Sequence, residues 1–351
     1  MSIHIKPLQA FFIGGQEELR PAFSPLSRFI PTTYTVAGSV FSRMVDAGLT
    51  PKDIEESVSN GFIKVHGVYL QINEVKYVRA PMTIVEDEDS GRIEVAKVVE
   101  DVWGKSLTDK CGLCAPLSEF KVSANAFMPL SDLKEGRVTP ENIVKLYPKY
   151  RNKLGIALER DKKTVKKEYL YLRSDIEAYE VKTPSATQGS LTLMPSFCID
   201  ITFTEKCVNY INHLHDACKI TKLGGEEGLS KMSISQEAPL ADLVPDSLED
   251  DETYMAISHV HVKRSGSKLL ITFQGEEYEL KWCIGVIESL GGWLLKNAHR
   301  GLGNKPKDLI AALSPGSVFK VEKKLQDEAK KDTPWYYNLL NTIVKIKVET
   351  A

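Results

Sequence analysis

Residues 32–73 read TTYTVAGSVFSRMVDAGLTPKDIEESVSNGFIKVHGVYLQIN and set out the order of elements that decides the fold. The first part, 32–48, has a threonine at its start, apolar residues at one-turn spacing and a glycine at its end, which predicts a helix. The part 50–58 begins with Thr-Pro and predicts a second, shorter helix. Residues 61–73 are rich in β-branched and aromatic side chains and predict a strand or hairpin. A strand-like stretch at 3–13 precedes them, so the chain begins β-α-β.

A β-α-β start of this kind fits a split βαβ, ferredoxin-like domain. The chain has 351 residues, more than one hydrophobic core usually supports, so we expect two domains. The last third contains a further strand–helix–strand series, consistent with a second α+β domain. We therefore predict an α+β protein with two ferredoxin-like (RRM-like) domains and inserted loops, one at 1–145 and one at 146–351.

Composition places the chain among ordinary soluble globular proteins. Apolar residues make up 42% and charged residues 26%, and the formal net charge of −2 excludes a uniformly basic, histone-like binder. No run of 18 apolar residues occurs, and the amino terminus lacks the pattern of a signal peptide. We expect a cytoplasmic protein that does not contact a membrane.

Six cysteines in such a chain are expected to be reduced rather than bridged. Cys111 and Cys114 form a CxxC that would need a second half to bind zinc. His213 and His215 are two residues apart on a helical stretch, which suits chelation poorly. We therefore expect no metal and no cofactor.

In residues 290–304, LGGWLLKNAHRGLGN, four glycines flank one tryptophan, one histidine and two cationic side chains. Glycines let backbone N–H groups approach a phosphate, cations add attraction, and Trp and His rings can stack on unpaired bases. The alternative is a strand-to-helix loop with its tryptophan in the core. The nearby sequence Gly301-Leu302-Gly303-Asn304-Lys305-Pro306 lacks the third glycine of a dinucleotide site. The predicted RNA-binding residues here are Gly291, Gly292, Trp293, Lys296, His299, Arg300, Gly301, Gly303 and Lys305.

The stretch 145–173 contains ten Lys/Arg against three acids, a local net charge of +7. It includes EYLYLRS, in which two tyrosines and an arginine alternate along a predicted strand. A second cationic and aromatic surface is typical of a protein that follows a nucleic-acid strand. The RNA-binding residues predicted here are Arg151, Arg160, Lys162, Tyr169 and Tyr171.

Two acidic segments interrupt these surfaces. Residues 86–101 predict a solvated insertion, and residues 237–252, with seven carboxylates and no base, predict an exposed, mobile loop.

No pattern of catalytic residues occurs. P-loop, nucleophile-elbow, zinc-protease and kinase signatures are absent. His299, beside Arg300, is the one histidine in a setting that suits a general base for RNA cleavage. We expect the protein not to be an enzyme.

Four separated segments resemble one family. The opening strand with RPAF and FIPTTYTVAGSVFSRMV resembles a first strand, an Arg-Pro-Phe loop and a Thr-Val-Ala-Gly helix start. LGIALERDKKTVKKEYLYL (154–172), LGGEEG (223–228) and LGGWLLKN…LSPGSVFKVE (290–322) resemble its later conserved blocks in the same order. Over roughly residues 3–322, the chain resembles the RAMP-superfamily subunit at the foot of the type III-B (Cmr) CRISPR effector complex.

This resemblance implies two ferredoxin-like domains joined face to face. It also implies a non-catalytic subunit that holds the 5′ repeat-derived handle of the guide RNA in antiviral defence. The implied partners are the large polymerase-like Cas subunit and the neighbouring RAMP backbone subunit.

Four departures from the family pattern bear on the RNA contacts. Leu158-Glu159 replaces a Leu-Asp pair, and Glu168-Tyr169-Leu170-Tyr171 stands where the family has a glycine before Leu-Tyr. Gly224-Gly225-Glu226-Glu227-Gly228 carries an extra acid and no following arginine, and the carboxyl end lacks the glycine-rich closing strand. Two other functions stay open. One is a metal-independent endoribonuclease that processes CRISPR RNA precursors, with His299 as base and Lys296 as phosphorane stabiliser. The other is a protein–protein adaptor in the equivalent type III-A (Csm) or a hybrid complex.

Overall fold

The computed structural model describes residues 1–13, 29–100, 111–115, 119–158, 165–183, 190–207, 209–216, 219–224, 228–250, 252–290, 310–324 and 335–350. These residues form an α+β fold made mostly of β-sheet, which confirms the fold class predicted from the sequence. Among them no helix is both long and apolar enough to cross a membrane.

The helices are short and few. Their bounds are α1 Thr33–Asp46, α2 Pro51–Ser59, α3 Leu130–Lys134 and α4 Asn209–Asp216. Short 3₁₀ turns lie at Pro140–Asn142, Glu205–Cys207, Ala241–Leu243 and Trp335–Leu339.

The strands, numbered in chain order, account for most of the remaining described residues. They are β1 Ser2–Pro7, β2 Ile63–Ile72, β3 Val75–Arg79, β4 Ile84–Asp87, β5 Ile93–Val95, β6 Lys97–Glu100, β7 Cys111–Cys114, β8 Phe120–Val122, β9 Ala126–Pro129, β10 Val144–Leu158, β11 Val165–Lys182, β12 Leu191–Leu193, β13 Ser196–Phe203, β14 Ile220–Lys222, β15 Leu229–Ser235, β16 Thr253–Ala256, β17 Val260–Ser265, β18 Lys268–Phe273, β19 Glu276–Ile284, β20 Ile287–Leu290, β21 Ile310–Leu313, β22 Val318–Lys324 and β23 Ile343–Lys345.

Two large antiparallel sheets divide the chain. The first has the order β12-β11-β10-β9-β3-β2-β13-β1-β15-β14, and the second has the order β20-β21-β17-β18-β19-β22-β16-β23. The first sheet uses residues up to 235, and the second begins at 253. The boundary predicted from the sequence at 145/146 falls inside β10, which pairs with both β9 and β11, so the chain does not change sheet there.

The first sheet has two differently covered faces. Ile3 and Ile5 point to the side of α1 and are fully buried in a core with Val36, Val40 and Met44. On the opposite face, Tyr69 and Cys198 join a core that also contains Met255 and Trp282 of the second sheet. The two sheets therefore pack together through part of the face that the helices leave open.

Both helices predicted in 32–58 are confirmed, because each begins with a strong local signal. Thr32 caps α1 by accepting from the Thr35 backbone N–H. Thr50 and Asp53 form a reciprocal capping box at the start of α2.

The predictions for the acidic segments are wrong in part. In 237–252, Leu240 is 0% exposed, and its segment links the two sheets instead of standing free in solvent. In 86–101, β5 and the end of β4 form a small sheet together with β8, in the order β5-β4-β8. Glu100 accepts a hydrogen bond from the Trp282 indole N–H at 3.1 Å. Composition reports the exposed carboxylates correctly but not the apolar residues between them, which are buried by the second sheet.

Candidate nucleic-acid interface

The glycine-rich segment predicted to bind RNA lies outside the described residues. This applies to Gly291, Gly292, Trp293, Lys296, His299, Arg300, Gly301, Gly303 and Lys305. Arg160 and Lys162 also lie outside them, and Tyr169 and Tyr171 belong to β11 with their side chains undescribed. Arg151 is therefore the predicted site residue whose surroundings are defined, and the others stay predictions.

The two ends of the glycine-rich segment are well defined. Leu290 at the end of β20 pairs with Ile310 at the start of β21 in an antiparallel ladder. Both side chains are buried, at 1% and 2% exposure, in the core that contains α1. The two residues that flank 291–309 therefore lie next to each other, where the second sheet meets the helical side of the first.

The basic stretch forms a long antiparallel ribbon, β10–β11. Its base is tied to the first sheet, since β9 pairs with Val144 and Lys145 and Phe11 bridges to Ile176. Among the described residues, the part beyond Tyr150 pairs only within the ribbon. At about 3.3 Å per residue it reaches roughly 30 Å past Lys149.

The ribbon brings cations from two parts of the sequence together. Its register sets Arg173 opposite Lys153 and Tyr171 opposite Gly155. Arg151 is adjacent on the same strand and its side chain is 62% exposed. A ribbon that extends beyond the sheet can meet a polyanion without distorting the sheet below it, and Arg151 is an exposed cation on it.

Pairing also neutralises part of the +7 charge counted along the sequence. Lys153 lies 2.9 Å from the buried Asp175, and Arg151 lies 4.0 Å from Glu177. Lys145 lies 2.7 Å from Glu86 and is only 12% exposed. These carboxylates are outside the window 145–173, so the one-dimensional count overstated the charge available to a ligand.

The glycines of LGGEEG have a structural reason in this fold. Gly224 has φ +77°, and a Cβ there would stand 2.2 Å from the backbone oxygen of Phe12. At Gly228 a Cβ would stand 2.4 Å from the oxygen of Leu223, whose N–H in turn donates to Gly228 at 2.8 Å. Both glycines therefore lie too close to neighbouring backbone for a side chain, and Gly224 packs on the segment that follows β1.

Gly316, in the resemblance segment LSPGSVFKVE, lies where the two sheets meet. Its φ is +90°, and a Cβ would stand 2.6 Å from the backbone oxygen of Ala80. Its carbonyl accepts from Met82 N at 2.8 Å and its N–H donates to Ala256 O at 2.7 Å. Beside it Arg79 packs between the rings of Phe29 and Phe127, and burial lowers the pKa of Arg79 to about 10.

A buried carboxylate network on the open face of the first sheet was missed by the sequence reasoning. Asp200 is fully buried and accepts from Ser2 Oγ at 2.7 Å, Tyr69 Oη at 2.9 Å and the N–H groups of Leu240 and Ala241 at 2.7 and 3.0 Å. Burial, and after it the Asp200 charge, raises the pKa of Tyr69. The available signal was the single acid in the otherwise apolar strand SFCIDITF.

The burial of His66, the strand partner of Asp200, predicts that the stability of the protein depends on pH. Burial lowers the pKa of His66 to about 4, against a partial opposing effect of Asp200. The unfolded chain takes up this proton near pH 6.5 and the folded chain only near pH 4. The contribution of neutral His66 to the free energy of unfolding is therefore complete above pH 6.5 and is lost as the pH falls toward 4.

We expect His66→Gln to flatten the fall in the urea midpoint between pH 6.5 and 4, and proton NMR to show the His66 ring titrating far below 6.5. The fall should not vanish, since burial also lowers the pKa of His4 and of His261. A variant profile identical to that of the wild type would contradict this assignment.

The cysteines do not assemble a site in the described part of the chain. Cys111 is fully buried and Cys114 is exposed, because residues three apart on a strand point to opposite sides. Within the described ranges, no three His, Cys, Asp or Glu side chains are close enough to hold a metal ion.

No protein-family model matches the chain, and no curated protein matches it. Among solved structures, the fold is similar to a chain from the cryo-EM structure of the type III-B Cmr-β complex bound to cognate target RNA and AMPPnP. The two are 15% identical over 91% of this chain and 86% of that chain, with a TM-score of 0.48. It is also similar to a chain of the Csm3–Csm4 subcomplex of the type III-A CRISPR-Cas interference complex, at 11% identity over 93% and 94%, with a TM-score of 0.38.

A third likeness is to the Csm1–Csm4 cassette in complex with pppApA, at 9% identity over 99% and 94% of the two chains, with a TM-score of 0.33. The solved structures to which the chain is similar are type III CRISPR-Cas subunits, the class that its sequence resembles.

Proposed function

We propose that this protein is a non-catalytic, RNA-binding subunit of a type III CRISPR ribonucleoprotein. It holds the 5′ repeat-derived handle of the guide RNA and bridges the large Cas subunit to the RAMP backbone. The observation that carries the proposal is the β10–β11 ribbon, whose backbone extends beyond the sheet and pairs two lysine- and arginine-rich stretches of sequence, with the Arg151 side chain exposed. The four ordered segments of sequence resemblance supply the identity of the complex.

We also propose that each large sheet is built on a ferredoxin-like unit. In the first sheet the neighbours β2-β13-β1-β15 are antiparallel, with helices following β1 and β13. In the second sheet the neighbours β19-β22-β16-β23 repeat the same relative order. This is the strand order of the split βαβ arrangement, and it supports two units within residues 2–235 and 253–345.

The direct test is to purify the protein from its native host and sequence the RNA that co-purifies. We expect RNAs that begin with a repeat-derived 5′ handle, together with other Cas subunits. Recovery of unrelated RNA, or of none, would refute the proposal. Specific cleavage of repeat RNA by the pure protein, lost in His299→Ala, would instead favour the endoribonuclease.

The ribbon's contribution is tested with Arg151→Ala and a matched control, Arg137→Ala. Both arginines are exposed and lie near a carboxylate, but Arg137 follows α3, away from the ribbon. We expect Arg151→Ala to weaken handle-RNA binding about three- to tenfold and to lower the salt slope by about 0.7, because one phosphate contact to a single strand is lost. Thermal stability should stay unchanged in both variants. Equal binding by the two variants would remove the ribbon from the RNA path.

A further inference from the structure

The first sheet has a cleft on the part of its open face that the second sheet does not cover. Ile3 and Ile5 point to the helices, so the alternating His4 and Lys6 of β1 point the other way. Both line this cleft, which has a volume of about 480 Å³. A cleft of that size is within the range found for small-molecule and nucleotide sites.

The lining combines apolar walls with short hydrogen-bonding groups. Leu193 and Met194 supply apolar surface, and Ser196 and Ser233 supply hydroxyls. A flat apolar contact beside a few donors and acceptors is the chemistry that recognises a heterocyclic base. An aliphatic ligand would leave these polar groups unpaired.

His4 gives the cleft an unused acceptor. Its Nδ1 lies 2.6 Å from Gln71 Oε1, so Nδ1 carries the proton and donates. Burial lowers the pKa of His4, which keeps the ring neutral and leaves Nε2 as an acceptor. Among the described residues, no protein group hydrogen-bonds Nε2, although the atom is shielded from solvent. A donor such as a base N–H would satisfy it.

A row of lysines leads from the cleft to the edge of the sheet. Lys6 is the cross-strand partner of Lys231, and Lys222 follows on β14. The sequences of β1, β14 and β15 contain no carboxylate, and in the described part of the chain none of these lysines is ion-paired. The nearby Glu237 is already paired with Lys76 at 2.7 Å. The row therefore has the charge that a sugar–phosphate backbone requires.

We infer that this cleft holds the base of an unpaired nucleotide of the bound RNA, with Lys6, Lys231 and Lys222 on the adjacent phosphates. The inference rests on the proposed RNA-binding function and adds a second contact surface on the sheet, separate from the ribbon. Only an unpaired nucleotide fits, because pairing would occupy the N–H groups that His4 and the serines would meet.

The test measures binding of a single-stranded octanucleotide containing 4-thiouridine, and of the duplex of the same sequence, by fluorescence anisotropy. We expect His4→Phe to weaken single-strand binding about fivefold, the effect of one lost hydrogen bond, and to leave duplex binding unchanged. Ser233→Phe fills the cleft from an exposed position and should act in the same way if His4→Phe folds poorly. Photocrosslinks should map to β1, to residues 193–196 or to β15.

The lysines are tested separately. The double variant Lys6→Ala/Lys231→Ala should reduce the single-strand salt slope by about 1.4, two phosphates at roughly 0.7 each. Lys52→Ala is the matched control, because Lys52 is 77% exposed on α2, on the opposite side of the sheet. It should bind as the wild type does.

The outcomes separate this inference from the proposed function. A wild type that binds no single-stranded RNA would refute the proposed function itself. Normal RNA binding by all cleft variants, with crosslinks confined to other segments, would overturn the cleft alone. Binding of UMP as tight as that of the octanucleotide would overturn the assignment to an RNA chain. Tighter, His4-dependent binding of an oligoglutamate peptide would overturn it in favour of an acidic protein segment.

Discussion

Gly316→Ala is expected to destabilise the protein by roughly 3–5 kcal/mol, because strain at a left-handed backbone adds to a backbone clash. Gly316 has φ +90°, where a side chain is strained, and the new Cβ would meet the Ala80 carbonyl oxygen at 2.6 Å. That oxygen belongs to the backbone just after β3 of the first sheet and cannot turn away as a flexible side chain would. Since Gly316 also bonds to Met82 and Ala256 through its backbone, relief by moving the strand would break these contacts.

Urea unfolding followed by tryptophan fluorescence measures this loss. The matched control is Gly266→Ala, in the turn between β17 and β18, where φ is +62° and nothing lies within 4 Å of the added Cβ. It carries the strain without the clash and should cost about 1 kcal/mol. If both variants unfold at the same urea concentration, the close approach of the two sheets at Gly316 is not as described.

Asp200→Ala should cost a similar amount, roughly 3–5 kcal/mol, for a different reason. The substitution removes the acceptor for the N–H groups of Leu240 and Ala241. It also removes one of two acceptors near each of the Ser2 and Tyr69 hydroxyls. A buried donor without an acceptor bears the full free-energy cost of leaving water, because no hydrogen bond offsets it. The segment 237–252 would also lose its main polar attachment to the first sheet.

Hydrogen exchange gives a local measure of the same effect. Amides of Leu240 and Ala241 should exchange much faster in Asp200→Ala, beyond what global destabilisation explains. Asp242→Ala is the control, because it removes an exposed carboxylate from the same segment and should change neither stability nor exchange. Protected amides at 240 and 241 in the Asp200 variant would show that another group holds the segment.

Local signals carried most of the secondary structure that could be predicted. Thr32 and Thr50 mark the starts of α1 and α2, since a hydroxyl that caps N–H groups acts within one turn. The strand predicted in 61–73 follows from β-branched and aromatic content. The helical stretch predicted around His213 and His215 is α4, which a 3₁₀ turn precedes.

Long-range pairing was beyond the reach of these signals. The ribbon's register, which sets Asp175 beside Lys153 and so reduces the free charge, depends on a hairpin whose turn lies several residues away. The cleft residues His4, Gln71 and Ser233 are far apart along the chain and meet only because β2, β13, β1 and β15 are neighbours. No window of sequence contains such a site.

The sequence alone determined which residues are helical, which are extended and where charge accumulates, because capping, periodicity and composition are properties of neighbouring residues. The tertiary structure alone decided which faces are covered. It turned Gly224 and Gly316 into packing residues, buried Asp200 and Leu240 between elements, and placed His4 and Lys6 in a cleft. The physical reason is that burial, close approach and ion pairing depend on distances between segments, which the order of residues does not contain.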